Sequence, residues 1–231
     1  MIGKKSTPES RKERSEKVLA KHKVMINPHL PCIESEDEAK IKSPEEIVKR
    51  AVTAFITAQI AIDICNNDRV SESVGFFAHI LEGFGLTGEL TDDEKRYFDL
   101  SKHGEITQDD ANQMQWRLEM CIPLFWACGF WKRLDYPNEI TDTTKLIALI
   151  SSCGNFNELM SLVKIRDPKA ILDEADLIFR MDWACVEARL KGDPRIMGDL
   201  FSDVVVERHK GLNWLIGAFD AEDWDNVRAH T

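Results

Sequence analysis

A chain of 231 residues with 43% apolar and 30% charged side chains is long enough to bury a sizeable core and too apolar for general disorder. Its net charge of −10 is uneven: residues 1–23 carry eight Lys or Arg against three Glu, about +5, which leaves about −15 for the remainder. An acidic body of that kind repels nucleic acid, and no apolar run approaches the roughly 18–20 residues needed to cross a bilayer, so neither nucleic acid nor a membrane is an expected partner.

The opening "MIGKKSTPESRKERSEK" lacks the apolar stretch of a secretion signal, so a cytoplasmic location is expected. The six cysteines (32, 65, 121, 128, 153 and 185) are scattered and mostly flanked by apolar residues, the pattern of reduced core thiols.

Residues 10–22 predict a short charged helix with Val18, Leu19 and His22 as a thin apolar face, expected at the surface. The prolines of "VMINPHLPCI" then forbid helix, and "ESEDEAKIK" reads as a polar connection. "SPEEIVKRAVTAFITAQIAIDICNN" opens with Ser43 as N-cap, Pro44 at the first helical position and Glu46 three residues after the cap, a capping box ahead of a helix to about Asn66.

"SESVGFFAHILEGFG" predicts a helix that Gly85 ends, and "TDDEKRYFDL" a short one capped by Thr91 toward Glu94. "TQDDANQMQWRLEMCIPLFWACGFW" predicts a helix from Thr107 with a bend at Pro123. Two shorter helices follow, then a long one from Asp167 and Pro168 to Gly192, then "SDVVVERHKGLNWLIGAF".

Alternation of period two and hairpin signals are missing, so the expected class is all-α without substantial sheet. The expected organisation is a basic N-terminal helix and proline-containing connection over residues 1–42, then one helical domain over 43–231.

"DEADLIFRMDWACVEARL", "VVVERHKGLNWLI" and "DWDNV", together with "SPEEIVKRA" and "WRLEMCIPLFWACGF", resemble the recurring segments of the domain of unknown function family 4272. The resemblance runs from about residue 10 to the C-terminus. It implies a mainly bacterial, largely helical, single-domain protein, and it implies no catalytic residue. The chain ends in "RAHT" where the family tends toward a Thr-Asp-Thr-like tail, which leaves a terminal acidic role without support here.

Several motifs read better as structure than as chemistry. "GFGLTG", residues 83–88, has the letters of a dinucleotide fingerprint, but the preceding segment has helical period and "ELTDDEK" follows, so helix termination is expected. His29 and Cys32, with His22 nearby, lack the second ligand pair that a structural zinc needs, and "DAEDWD", residues 220–225, lacks the glycine and distal glutamate of a calcium loop. Cys121 and Cys128 read as core thiols. No metal or cofactor is expected.

One constellation stands apart. On the last helix Val205, His209, Leu212, Ile216 and Phe219 share a stripe with Asn213 on its flank, while Glu207, Gly211, Trp214 and Ala218 lie opposite. On the preceding helix Leu172, Phe179, Trp183, Val186 and Leu190 form the expected core stripe, edged by Asp176, Arg180 and Glu187, with Asp176 and Arg180 spaced for an ion pair.

If the two helices pack, these charges form one paired network. The same groups also make a candidate site, with His209 as a base oriented by Glu207 or Asp176, Arg180 or Arg208 holding an anion, and Asp176, Arg180, Trp183, Glu187, Arg208 and Asn213 as binding candidates. The leading expectation is a non-enzymatic module whose acidic body binds a partner protein or a small ligand, an immunity-like protein facing a basic toxin being one case. The alternative is a hydrolase or transferase with a polar site around His209 and Arg180.

Overall fold

The computed structural model describes residues 7–66 and 70–231, so the first six residues of the basic segment lie outside the described residues. The described residues are largely helical and form no strand, which makes the protein all-α. No helix among them is long and apolar enough to cross a membrane. They cluster into two compact units, one formed by residues 1–42, 135–140 and 166–231, the other by residues 43–134 and 141–165. The chain first passes between units at Lys42 and Ser43, and its last third returns to the unit of the N-terminal helix.

The middle unit is built around α2 (Pro44–Cys65), which packs against α3 (Val70–Gly83), α4 (Asp92–His103), α5 (Gln108–Met114) and α6 (Arg117–Ala127), with α7 (Thr144–Ser152) and α8 (Phe156–Ser161) following. Ser43 and Glu46 form the expected capping box, and Thr91 with Glu94 does the same for α4. Ala51, Ala54, Ala58 and Ala61 are all fully buried on α2, and Phe55 meets the edge of Phe125 at 5.8 Å between ring centroids. Small side chains let the neighbouring helices come close, and the aromatic pair fills the space left.

The helix expected across residues 107–131 is broken at Gln115 and Trp116, and Pro123 lies within α6. "GFGLTG" follows helix α3, and its Gly85 takes φ 68, a left-handed turn that ends the helix rather than a phosphate-binding strand–helix junction.

The other unit packs α1 (Pro8–Lys21) and α10 (Ser202–Ile216) against α9 (Pro168–Lys191). α1 is less superficial than its charge predicts. Arg11, Ser15 and Leu19 are buried at steps of four, and Arg11 spends its charge on the Glu34 carbonyl at 2.7 Å and on Asp173 at 3.6 Å.

The expected core stripe on α9 holds at Leu172 and Phe179 and fails in the C-terminal half of the helix. Leu190 is 73% exposed and Trp183 and Val186 are half-buried, while Ile171, Ala175, Ile178, Asp182 and Cys185 are buried. Two helices cover α9, so its buried face is too wide for a single stripe to predict.

All six cysteines are free thiols, and burial pushes Cys128 and Cys185 up to about 12.

Candidate functional site

The residues singled out on α9 and α10 are each engaged by particular partners. Arg180 forks onto Asp176, with Nε 2.9 Å from Oδ2 and Nη2 2.8 Å from Oδ1, and Nη2 also donates to the Pro31 carbonyl at 3.1 Å. Both side chains are buried, so the guanidinium is neutralised inside the fold and pins the extended segment around Pro31 to α9. Arg208 donates to the Asp135 carbonyl at 2.7 Å, and Asn213 Nδ2 donates to the Arg228 carbonyl at 3.0 Å. Glu207 pairs with Lys210 and Glu187 with Lys191, each within its own helix at 2.5 Å.

His209 finds a partner that the sequence analysis did not name. Its Nδ1 lies 2.9 Å from Oδ2 of Asp182, and both groups are almost fully buried. A carboxylate only accepts, so Nδ1–H donates, and in the neutral form of the ring the lone pair is on Nε2. Glu207 and Asp176, the orienting groups expected from sequence, are engaged by Lys210 and Arg180 instead. Asp182 sat among the buried positions 171, 175, 178, 182 and 185 at steps of three and four, and a carboxylate on such a stripe requires a partner. That periodicity was the signal available.

His209 and Asn213 open on a cleft of about 350 Å³, small but within the roughly 300–1,000 Å³ typical of ligand sites. One wall is the extended segment from Pro31 to Glu34 together with Glu38; the others are Ala175 and Phe179 on α9, Ile216 on α10, and Ala218 and Phe219 beyond it. The prolines Pro28 and Pro31 keep the first wall out of helix, and the segment is tied down further along where Lys40 and Lys42 donate their N–H groups to the carbonyls of Ile216 and Leu215 at 3.0 Å.

Gly217 makes this closeness possible. It takes φ 65, and a Cβ there would lie 2.9 Å from that of Lys40 and 3.0 Å from its carbonyl oxygen.

After Gly217 the chain leaves the α10 direction, which takes Phe219 off the predicted stripe. Phe219 is 66% exposed and holds φ 55, followed by Asp220 at φ 53. Left-handed backbone at a bulky residue costs on the order of 1–3 kcal/mol. The exposed ring of Phe219 lines the cleft and packs edge-on against His230, 4.8 Å between ring centroids.

Trp183, Glu187, Glu207 and Arg208 do not line this cleft. Cys32 does line it, while His29 is exposed and His22 is stacked on Tyr136 at 3.9 Å, so these three residues of the sequence pattern point to different surroundings. No group of three or more potential metal ligands comes together among the described residues. A second cleft of about 340 Å³ lies on the far side of Ala218 and Phe219, lined by Asp220, Glu222 and Asp223, while Trp224 packs edge-on against Trp214 at 5.3 Å.

No curated protein and no solved structure matches the chain. The model of the family described as Domain of unknown function (DUF4272) matches residues 11–227, and the chain belongs to that family.

Proposed function

We propose that the protein is a non-enzymatic binding module whose cleft between Pro31, Phe179, His209 and Phe219 takes a small, partly apolar ligand. The observation that carries this reading is the opening of about 350 Å³ with apolar walls and a few convergent polar groups, His209 and Asn213 foremost. Those polar groups are held by other residues, His209 by Asp182 and Asn213 by the Arg228 carbonyl, so the cleft is preformed and ordering on binding costs little.

The test is a titration of small-fragment mixtures into the isotopically labelled chain, reading NMR shifts at His209, Phe219 and Ile33. The expected result is saturable shifts confined to the cleft and lost in Phe219→Ala. Shifts scattered over the surface, or none at the cleft, overturn the reading.

The hydrolase or transferase reading has one observation of its own, the carboxylate-oriented imidazole of the Asp182–His209 pair beside the Cys32 thiol on the same cleft. Against it, Arg180, which was expected to hold an anion, is spent on Asp176 and Pro31. Hydrolysis of p-nitrophenyl acetate by the chain, abolished in His209→Gln, would favour catalysis; a rate equal to that of free imidazole would not.

A further inference from the structure

We propose that the ligand of this cleft is an organic cation, an ammonium group carried on an apolar body about the size of a phenyl ring; the proposal rests on the ligand-binding reading above and adds the chemical class. The argument is an inventory of what the cleft wall still offers. His209 donates Nδ1–H to Asp182, and among the described residues no protein group bonds its Nε2, which is an acceptor in the neutral ring. Asn213 gives one of its two amide N–H groups to the Arg228 carbonyl, and its Oδ1 is a further acceptor. Glu34 and Glu38 add carboxylates, and the cleft wall contains no Lys or Arg.

Glu38 is held ionised by its turn. The Ser35 backbone N–H and hydroxyl donate to Oε2 at 3.0 and 2.7 Å and hold the carboxyl below the usual range. The nearby Lys40 is engaged by Asp220 at 3.1 Å. The polar side chains that line the cleft are therefore weighted toward acceptors, two of them carboxylates, and an anion would meet repulsion with few side-chain donors to offset it.

The apolar part of the ligand has its own complement. Ile33, Ile216 and Ala175 supply aliphatic wall, and Phe219 adds an exposed ring to the lining, where a cation over its face gains a cation–π contact. The ring of Phe179 already faces the Arg180 guanidinium, 5.8 Å from its centroid, so Phe219 is the aromatic left for the ligand. A donor-rich cation on an apolar frame matches the charge and the walls together.

The test uses the full chain and three probes of one shape and different charge: 2-phenylethylammonium, 2-phenylethanol and phenylacetate. Titration calorimetry with NMR mapping is expected to give the ammonium at least about tenfold tighter binding than the alcohol, with phenylacetate weakest and the preference shrinking as ionic strength rises. The double variant Glu34→Gln, Glu38→Gln, whose changes lie near the surface, should bring the ammonium down to the level of the alcohol and leave the alcohol unaffected. Phe219→Ala should weaken both.

The alcohol or phenylacetate binding as tightly as the ammonium overturns the cationic class while leaving a small-ligand cleft in place. An unchanged preference in the double Gln variant also overturns it. Failure of all three probes to shift any cleft resonance removes the ligand-binding reading as well.

Discussion

The two units solve the same problem, a charge inside a helical core, with different consequences. In the middle unit Arg50 of α2 pairs with Glu94 of α4 and with Thr53, and Glu119 of α6 accepts the Thr141 N–H at 2.6 Å and its hydroxyl at 3.0 Å. None of these groups lines the clefts described above. In the unit of α1, α9 and α10, Asp176 and Arg180 likewise pair inside the fold and line neither cleft, but Asp182 and His209 leave one ring nitrogen at a cleft. Burial of a polar group is thus not what marks a site. The distinguishing feature is an atom with no protein partner beside space that a ligand can fill.

The largest expected effects come from opening the closed pairs. Asp176→Ala removes the carboxylate that Arg180 forks onto, and Glu94→Ala removes a carboxylate partner of Arg50; each should cost about 3–5 kcal/mol in urea unfolding. A loss under about 1 kcal/mol in either variant would show the pair to be solvated, and the comparison would fail there.

His209→Ala is expected to cost less, about 1–3 kcal/mol, because the imidazole is one hydrogen bond and its packing. Unlike the closed pairs, it should also remove ligand-induced NMR shifts at the cleft. Unchanged stability would place His209 outside the fastening of α9 to α10.

Ser43→Ala removes the cap of α2 and should cost about 1 kcal/mol while leaving the cleft resonances unmoved. Movement at the cleft would mean that the two units do not respond independently.

The finest test is of pH. Burial, reinforced by Asp173 and opposed by Arg208 and Arg166, raises the Glu174 carboxyl from 4.5 to about 7. The folded state then holds the proton more tightly than the unfolded chain, so this contribution is fully present below about 4.5 and is lost as pH rises through about 7. Unfolding free energy measured across that window should fall with a slope that Glu174→Gln flattens. An identical slope in the variant would assign the dependence to another group.

The helix ends were legible residue by residue. Ser43 with Glu46, Thr91 with Glu94, and Asp167 with Pro168 each announce a start, and Gly192 takes a left-handed turn at the expected end, whereas α10 ends at Gly217, short of the expected Phe219. The acidic body, the absence of strand among the described residues and the family resemblance followed from the same local information. The face that each helix buries was less legible: Leu190 and Phe219 fit a core stripe by spacing yet lie exposed.

What the sequence by itself determined was therefore the set of helices and the polar residues that any packing would have to satisfy, because caps, turn glycines and periodicity act within a few residues. Which carboxylate meets His209, that residues 31–34 and Glu38 form a wall beside α9 and α10, and that Phe219 lines the same cleft were decided by tertiary structure alone. Those contacts join residues far apart in the chain, and the buried face of α9 is wide enough to hold carboxylates, such as Asp182, that a single stripe leaves out.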